Sequence, residues 1–399
     1  REQFEYLARV SWSKGHDPVL QVLNRTQTRS VVLGVDPVTG GTHPVREIAD
    51  PQWVELSSAP TLDPTGRLVT CEDSKDRRRV VVDGQAISGT DWQVRSIIEC
   101  FDDAVLATAS NNPRDVQVVF FGHDGTEIAL TTGPGVHSAI VAGATTVIVR
   151  ATLDEVAPEY RVHLANGSSV SIESRAAAPG FTPQVTMVDL GERALAAAVL
   201  FPRDHVRGSR TLPLLMDPYG GPHAQRVMSS ARMFIESQWL ADQGFCVVVA
   251  DGRGTPGRGH AWERAVHHEF AAVTLQDQVD AVEAVIRLFP DDIDGSRVGI
   301  TGWSYGGYLA ALAVLDRPDV FAAAVAGAPV TDWTLYDTCY TERYLGNPHT
   351  EPDVYDRNSL ITRASQLERP LMLIHGLADD NVVAAHTLRL SSALLAAGK

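Results

Sequence analysis

A chain of 399 residues with 44% apolar and 21% charged side chains is too long for one small module and apolar enough to exclude global disorder. A formal net charge of −15 repels phosphate backbones and anionic lipid surfaces, so nucleic acid is not an expected partner. No stretch approaches the roughly 20 apolar residues that span a bilayer, and the four cysteines, Cys71, Cys100, Cys246 and Cys339, stand too far apart for a metal motif or a disulfide scaffold. They read as free thiols, mostly buried.

From the start to about residue 180, short runs rich in Val, Ile and Thr alternate with turn residues, the pattern of many short strands. Four runs turn on glycine: Ser30 to Val35 at Gly40, Val80 to Val82 at Asp83-Gly84, Val118 to Phe121 at Asp124-Gly125, and Arg161 to Leu164 at Asn166-Gly167. Asp-Gly and Asn-Gly supply the positive φ that tight hairpins require. These glycines recur at intervals of 44, 41 and 42 residues, and Trp12, Trp53 and Trp92 follow nearly the same beat. A period of about 40 to 45 residues with four short strands per unit describes a β-propeller blade; evenly spaced hairpins in a β-sandwich are the alternative. Four blades leave a seven- or eight-bladed wheel open, with unpaired strand edges, so further blades are expected before Arg1. The chain begins with Arg and stops at Lys399 just after an apolar helical run, and both ends are expected to be cut. Arg77-Arg78-Arg79 reads as a solvated hairpin edge.

After Thr182 the pattern changes to strands alternating with helices. Leu212 to Met216, Phe245 to Ala250, Val298 to Thr301, Ala323 to Gly327 and Leu371 to Ile374 are short apolar runs, as expected of parallel strands buried on both faces. Thr274 to Leu288 places Leu275, Val279, Val282 and Ile286 three or four apart, the spacing of an amphipathic helix. The alternation predicts an α/β domain over residues 181–399 with a mostly parallel, doubly wound sheet, preceded over 1–180 by propeller blades.

The stretch Gly302-Trp303-Ser304-Tyr305-Gly306-Gly307 follows one of those strands and precedes a helical run, the context of a GxSxG nucleophile elbow. A serine hydroxyl is a weak nucleophile at neutral pH, so it must project from a sharp turn towards a base, and flanking glycines let strand and helix approach closely enough to hold that turn. Ser304 is the candidate nucleophile. The backbone N–H of Tyr305 is one candidate oxyanion donor, and the loop Asp217 to Pro222, with Tyr219, is placed to supply the second. A triad acid follows later in such folds, at the end of a strand, which makes Asp379 or Asp380 the candidate. The one histidine after them, His386, falls within the next helical run, and His375 reads as a structural residue at the strand end. The triad is therefore expected to be incomplete in this chain.

Five motifs, Asp217-Pro-Tyr-Gly-Gly-Pro222, Asp251-Gly-Arg-Gly254, Gly302-Trp-Ser-Tyr-Gly-Gly-Tyr308, Tyr336-Asp-Thr-Cys-Tyr-Thr-Glu-Arg-Tyr-Leu-Gly346 and Ile374-His-Gly-Leu-Ala-Asp-Asp-Asn381, resemble the prolyl oligopeptidase family of serine peptidases, and within it the dipeptidyl peptidase IV subfamily. The resemblance implies an α/β-hydrolase domain behind a β-propeller. It implies Ser304 as nucleophile, Asp379 as triad acid, and Tyr219 and Tyr305 as oxyanion donors. It further implies a proline-sized S1 slot walled by Val330, Trp333, Tyr336, Tyr340 and Val382, with Tyr305, and places Arg343 and Asn381 beside the substrate. The activity implied is release of N-terminal Xaa-Pro or Xaa-Ala dipeptides from peptides through an acyl-enzyme, with no metal or organic cofactor and, by analogy with relatives, a homodimer. An oligopeptidase or acylaminoacyl peptidase of the same family is the alternative, and a catalytically inactive binding protein built on the propeller is another.

In the family the catalytic histidine follows the acid by more than the 20 residues that come after Asp379 here, and a glutamate pair that grips the substrate amino terminus precedes the strand resembled by Glu5-Tyr6-Leu7-Ala8. Both are expected outside this chain, which alone is then expected to be inactive. Two weaker signals carry little: Asp251 to Gly259 lacks the spacing of a phosphate loop, and His267-His268 has no third ligand at metal spacing.

Overall fold

Strand and turn chemistry in the first 180 residues resolves into four meanders of four antiparallel strands each, in a computed structural model that describes residues 3–399. The chain forms two compact units: one comprises the residues up to Gly180 with Met228–Ser230 and Gly257–Ala261, the other the remainder. The first meander is β1 (Tyr6–Ser11), β2 (Val19–Leu23), β3 (Arg29–Val35) and β4 (Thr42–Ala49). The second is β5 (Thr61–Leu62), β6 (Leu68–Ser74), β7 (Arg77–Val82) and β8 (Gln85–Ala86), and the third β9 (Gln93–Cys100), β10 (Ala104–Ser110), β11 (Gln117–Gly122) and β12 (Glu127–Ala129). The fourth is β13 (Val136–Ala142), β14 (Thr145–Ala151), β15 (Glu159–His163) and β16 (Ser169–Ile172). Each of the four turn glycines lies between the third and fourth strand of its sheet, with φ of 70°, 80°, 88° and 82° in chain order.

Four separate sheets pack face to face in succession, as propeller blades do, whereas a sandwich has only two. Val19 and Val32 of the first meet Leu68 of the second; Val69, Val80 and Val82 meet Val94, Val105, Val119 and Phe121 of the third; Leu106 and Val118 of the third meet Ala139 of the fourth. Each fully buried side chain of this size contributes roughly 1.5–3 kcal/mol. The tryptophan beat is not a structural repeat: Trp53 is buried ahead of β5 and Trp92 is half-buried ahead of β9, whereas Trp12 follows β1 and is 73% exposed. The arginine run is not a solvated edge either. Strand alternation turns Arg78 inward, where it is buried and pairs with Asp73 at 3.1 Å, while Arg79 is held by the Ser88 carbonyl.

The second unit is built on a seven-stranded sheet: β17 (Val185–Leu190), β18 (Leu195–Leu200), β19 (Leu212–Met216), β20 (Cys246–Asp251), β21 (Ile293–Trp303), β22 (Ala323–Gly327) and β23 (Leu371–Ile374), in the order β17-β18-β20-β19-β21-β22-β23. All pairings from β20 to β23 are parallel, and β18 runs antiparallel to both its neighbours. The helices are α1 (Ile235–Ala241), α2 (His260–Arg264), α3 (Phe270–Leu288), α4 (Tyr305–Asp316), α5 (Thr338–Leu345), α6 (Pro352–Asn358) and α7 (Ala385–Ala396). The expected amphipathic helix is α3, which begins four residues earlier than its periodicity suggests because the Glu269 side chain accepts from Ala272 N and caps it. No helix among the described residues is long and apolar enough to cross a membrane. Cys71, Cys100 and Cys246 are buried and Cys339 half-buried, all as free thiols.

Candidate active site

Strand β21 runs directly into α4, and the one residue between them is Ser304, at φ 58° and ψ −116°. That backbone conformation is one a side chain other than glycine rarely adopts, and it lifts the hydroxyl off the end of the sheet. The surrounding glycines make the bend sterically feasible. A Cβ on Gly302 would lie 2.5 Å from the Gly306 carbonyl oxygen, one on Gly306 2.4 Å from that of Pro218, and one on Gly307 2.3 Å from that of Gly327. The bend is fastened by two backbone bonds, Ser304 N to Gly327 O at 2.9 Å and Tyr308 N to Ser304 O at 2.9 Å. As the first residue of α4, Tyr305 has an N–H with no carbonyl of its own helix to bond, at the positive end of the helix dipole.

The loop after β19 brings Tyr219 to this bend. Burial pushes the Tyr219 phenol up to about 12, with the neighbouring Tyr336 adding to the rise, while a hydrogen bond with the Ser304 side chain acts in the opposite sense. Tyr219 therefore stays a protonated donor at neutral pH. Its loop rests on the nucleophile helix through glycine: a Cβ on Gly221 would fall 2.4 Å from the Tyr305 ring, and one on Gly220 would fall 2.7 Å from Leu309. Asp217, at the head of the loop, is buried; its carboxylate accepts from Ser237 Oγ at 2.8 Å and from Arg226 at 3.1 Å. Arg226 N and Val227 N donate in turn to the buried Asp251, at 3.1 and 2.7 Å. Asp251 thus anchors a loop and cradles no phosphate; Arg253, two residues on, is engaged by Asp277 at 2.7 Å.

Two strands from Ser304, β23 leads to the candidate acids. Gly327 pairs with Trp303 on one side and Ile374 on the other, so the ends of β21, β22 and β23 form one carboxyl-terminal rim. Of the two adjacent acids, Asp379 is half-buried, with Oδ1 accepting from Asn381 N at 3.0 Å and Val382 N at 2.9 Å, while Asp380 is exposed. Those two bonds hold the Asp379 carboxylate in one orientation. His375 lies beside this carboxylate, with Nε2 3.9 Å from Asp379 Oδ2, and both of its ring nitrogens are hydrogen-bonded to other groups. His375 bonds Thr387 Oγ1 through Nδ1 and the Val382 carbonyl through Nε2, both at 2.6 Å. His386 is fully buried in α7, where Nδ1 accepts from Thr331 N at 3.2 Å and Asp332 N at 3.4 Å, and burial pulls its pKa down to about 4.

The residues expected to wall S1 share one aromatic cluster. Trp333 is 1% exposed and lies 5.8 Å from Tyr305, 6.0 Å from Tyr336 and, nearly parallel, 6.3 Å from Tyr340. Tyr336 and Tyr340 meet edge to face at 5.2 Å, and Tyr336 donates to Asn381 Oδ1 at 3.4 Å. Val330, Val382 and Arg343 are buried and Asn381 is exposed. Burial raises the Tyr305 and Tyr340 phenols well above the ordinary tyrosine range, so these two stay neutral at any working pH. His267 and His268 stack on each other, with centroids 3.9 Å apart, and His268 N bonds the Tyr344 carbonyl at 2.7 Å. Sequence reasoning missed the Asp217–Arg226–Asp251 anchor and the contact of His223 with α5, neither of which carries a local pattern.

Comparison with known proteins matches residues 231–399 to the prolyl oligopeptidase family and residues 1–101 to the dipeptidyl peptidase IV N-terminal region. Over residues 231–399 the chain belongs to the prolyl oligopeptidase family. Human dipeptidyl peptidase 8 is 36% identical over 234 residues, 57% of this chain and 26% of that protein. Pig dipeptidyl peptidase 4 is 34% identical over 197 residues, 49% of this chain and 26% of that protein. The match thus spans about a quarter of the length of these relatives. Among solved structures, Porphyromonas gingivalis dipeptidyl peptidase 4 superposes with a TM-score of 0.89 at 25% identity, over 98% of this chain and 58% of that one. A putative dipeptidyl aminopeptidase IV from Bacteroides ovatus shares the fold, with a TM-score of 0.86 at 23% identity, over 99% of this chain and 62% of that one. The family members of this fold confirm the pairing of propeller blades with an α/β-hydrolase domain.

Proposed function

We propose that this prolyl oligopeptidase-family protein is a dipeptidyl peptidase that removes Xaa-Pro or Xaa-Ala from peptide amino termini through an acyl-enzyme on Ser304. The observation that carries the reading is the backbone of Ser304, lifted on a φ of 58° at the junction of β21 and α4. Ser304 Oγ adds to the carbonyl carbon of the second residue, and a histidine oriented by Asp379 takes its proton. The oxyanion accepts from the Tyr219 hydroxyl and the Tyr305 N–H. The carbon–nitrogen bond then breaks, the amine leaves with the proton, and water hydrolyses the ester to regenerate the serine. Trp333, Tyr336 and Tyr340, with Val330 and Val382, are the proposed walls of an apolar slot suited to a pyrrolidine ring, and Arg343 and Asn381 are proposed to orient the substrate backbone. A homodimer is the assembly we propose for the whole protein.

The test is to label the protein expressed from its complete coding sequence with a fluorophosphonate and map the adduct. Ser304 is the expected site, Ser304→Ala is expected to remain unlabelled, and an adduct on any other residue rejects the reading. Cleavage of free Xaa-Pro anilides with indifference to N-blocked peptides identifies a dipeptidyl peptidase. The reverse preference identifies an oligopeptidase or acylaminoacyl peptidase.

A further inference from the structure

The loop that carries Tyr219 runs on to His223, whose backbone sits at φ 69°, a left-handed conformation that histidine adopts more readily than most residues. Its ring packs on α5. There His223 Nε2 is hydrogen-bonded to the Tyr344 hydroxyl, although 121 residues separate the two in the chain. The ring lies 5.8 Å from Tyr344, edge to face, and 5.6 Å from Tyr340. Tyr344 is itself immobilised: it is 2% exposed, with Phe270 at 5.4 Å and Tyr340 at 5.2 Å. The Tyr219 loop is therefore tied at both ends, at Asp217 to the half-buried Arg226 and the buried Ser237, and at His223 to the helix that carries Tyr340.

We propose that His223 is a positioning residue that sets P1 selectivity by bracing the Tyr340 wall of S1 against the loop of the oxyanion donor. The inference rests on the reading of Ser304 as the acylated serine. A braced wall cannot yield to a ring larger than proline without dragging the Tyr219 loop with it. An oversized P1 group is thus penalised twice, in the slot and at the oxyanion. Close-packed interiors transmit such displacements instead of absorbing them, and selectivity measures how differently two substrates are held in the transition state. Without the brace, Tyr340 gives way and the distinction between ring sizes shrinks.

The test uses the protein expressed from its complete coding sequence, with His223→Ala, His223→Asn, Tyr344→Phe and the double variant His223→Ala/Tyr344→Phe. Fluorophosphonate labelling comes first: failure of the unmodified protein to label at Ser304 overturns the functional reading, separately from the role of His223. Relative kcat/KM is then measured on Ala-Pro and Ala-pipecolyl anilides, which differ by one ring methylene. His223→Ala is expected to narrow the preference for proline up to about tenfold, the upper end of what one lost, partly buried hydrogen bond costs. Tyr344→Phe should do the same, and the double variant no more than either single one. Asparagine tolerates a left-handed backbone and offers a polar group, so His223→Asn should restore part of the preference. A general structural role would lower both substrates equally, and that outcome, or additive losses in the double variant, overturns the proposal. Should His223→Ala fail to fold, Tyr344→Phe, which removes a single oxygen, decides the matter by the same ratio.

Discussion

In the first unit, Gly125 and Gly167 sit at φ 88° and 82° with nothing within 4 Å of the place a Cβ would take; in the second, Gly306 and Gly307 lie inside α4, where a Cβ would come within 2.4 and 2.3 Å of a carbonyl oxygen. The same residue type thus solves two problems. In the blades it supplies a dihedral angle at an open hairpin, and the repeat of that angle makes the blades alike. Around Ser304 it supplies room, so that the nucleophile helix can press against the Tyr219 loop on one side and β22 on the other. A turn of the first kind can be altered at modest cost, whereas a contact of the second kind is shared by three elements and cannot be.

The largest effect expected separates chemistry from packing. Tyr219→Phe keeps every glycine contact of its loop and removes only the donor, so kcat on an Xaa-Pro anilide should fall roughly 10²- to 10³-fold with an unchanged melting temperature; a fall below threefold would remove Tyr219 from the oxyanion site. Gly307→Ala attacks the room itself. Denaturant titration of the second unit should show a loss of about 3 kcal/mol, and a neutral result would mean that β22 and α4 can separate without harm. The third expectation concerns pH. The pKa of His386 is pulled from 6.5 down to about 4 by burial, so the unfolded chain binds a proton that the folded unit refuses. The stabilisation is complete above pH 6.5 and is lost as the pH falls from there towards 4, by up to about 3 kcal/mol. His386→Asn, which keeps an acceptor for the Thr331 and Asp332 N–H groups, should flatten the stability profile in that window, and an undiminished acid slope would place its origin in other groups. The smallest effect belongs to the blades: Gly125→Ala should cost about 1 kcal/mol, the strain of a left-handed alanine, with no change in Ser304 labelling.

The two uses of glycine also explain what the amino-acid order makes legible. The hairpin glycines and the elbow are local signals, in which a turn residue or a GxSxG stands beside the strand it ends, so a window of a few residues contains each of them whole. Trp12 misleads because equal spacing is not equal position: it follows the first strand of its blade, whereas Trp53 and Trp92 precede theirs. Arg78 misleads because a run of three like charges hides the alternation of a strand that turns its middle residue inward. Asp379 and Asp380 cannot be told apart by spacing, and only the folded chain shows that they differ in exposure and that Asp379 accepts two backbone N–H bonds. The features missed altogether are those that join distant segments. His223 meets Tyr344 across 121 residues, and Thr331 meets His386 across 55. Contacts of that kind arise from the order of strands in the sheet, which no short window contains.

The backbone at Ser304 has a thermodynamic consequence of its own. Holding an L-residue in a conformation that favours glycine costs on the order of 1–3 kcal/mol, and the rest of the hydrolase unit must outweigh that deficit each time the chain folds. The most stable version of this sequence is therefore not the one with serine at this position. Any unconstrained drift towards greater stability would tend to exchange Ser304 for glycine, and on the proposed function only selection for turnover opposes it.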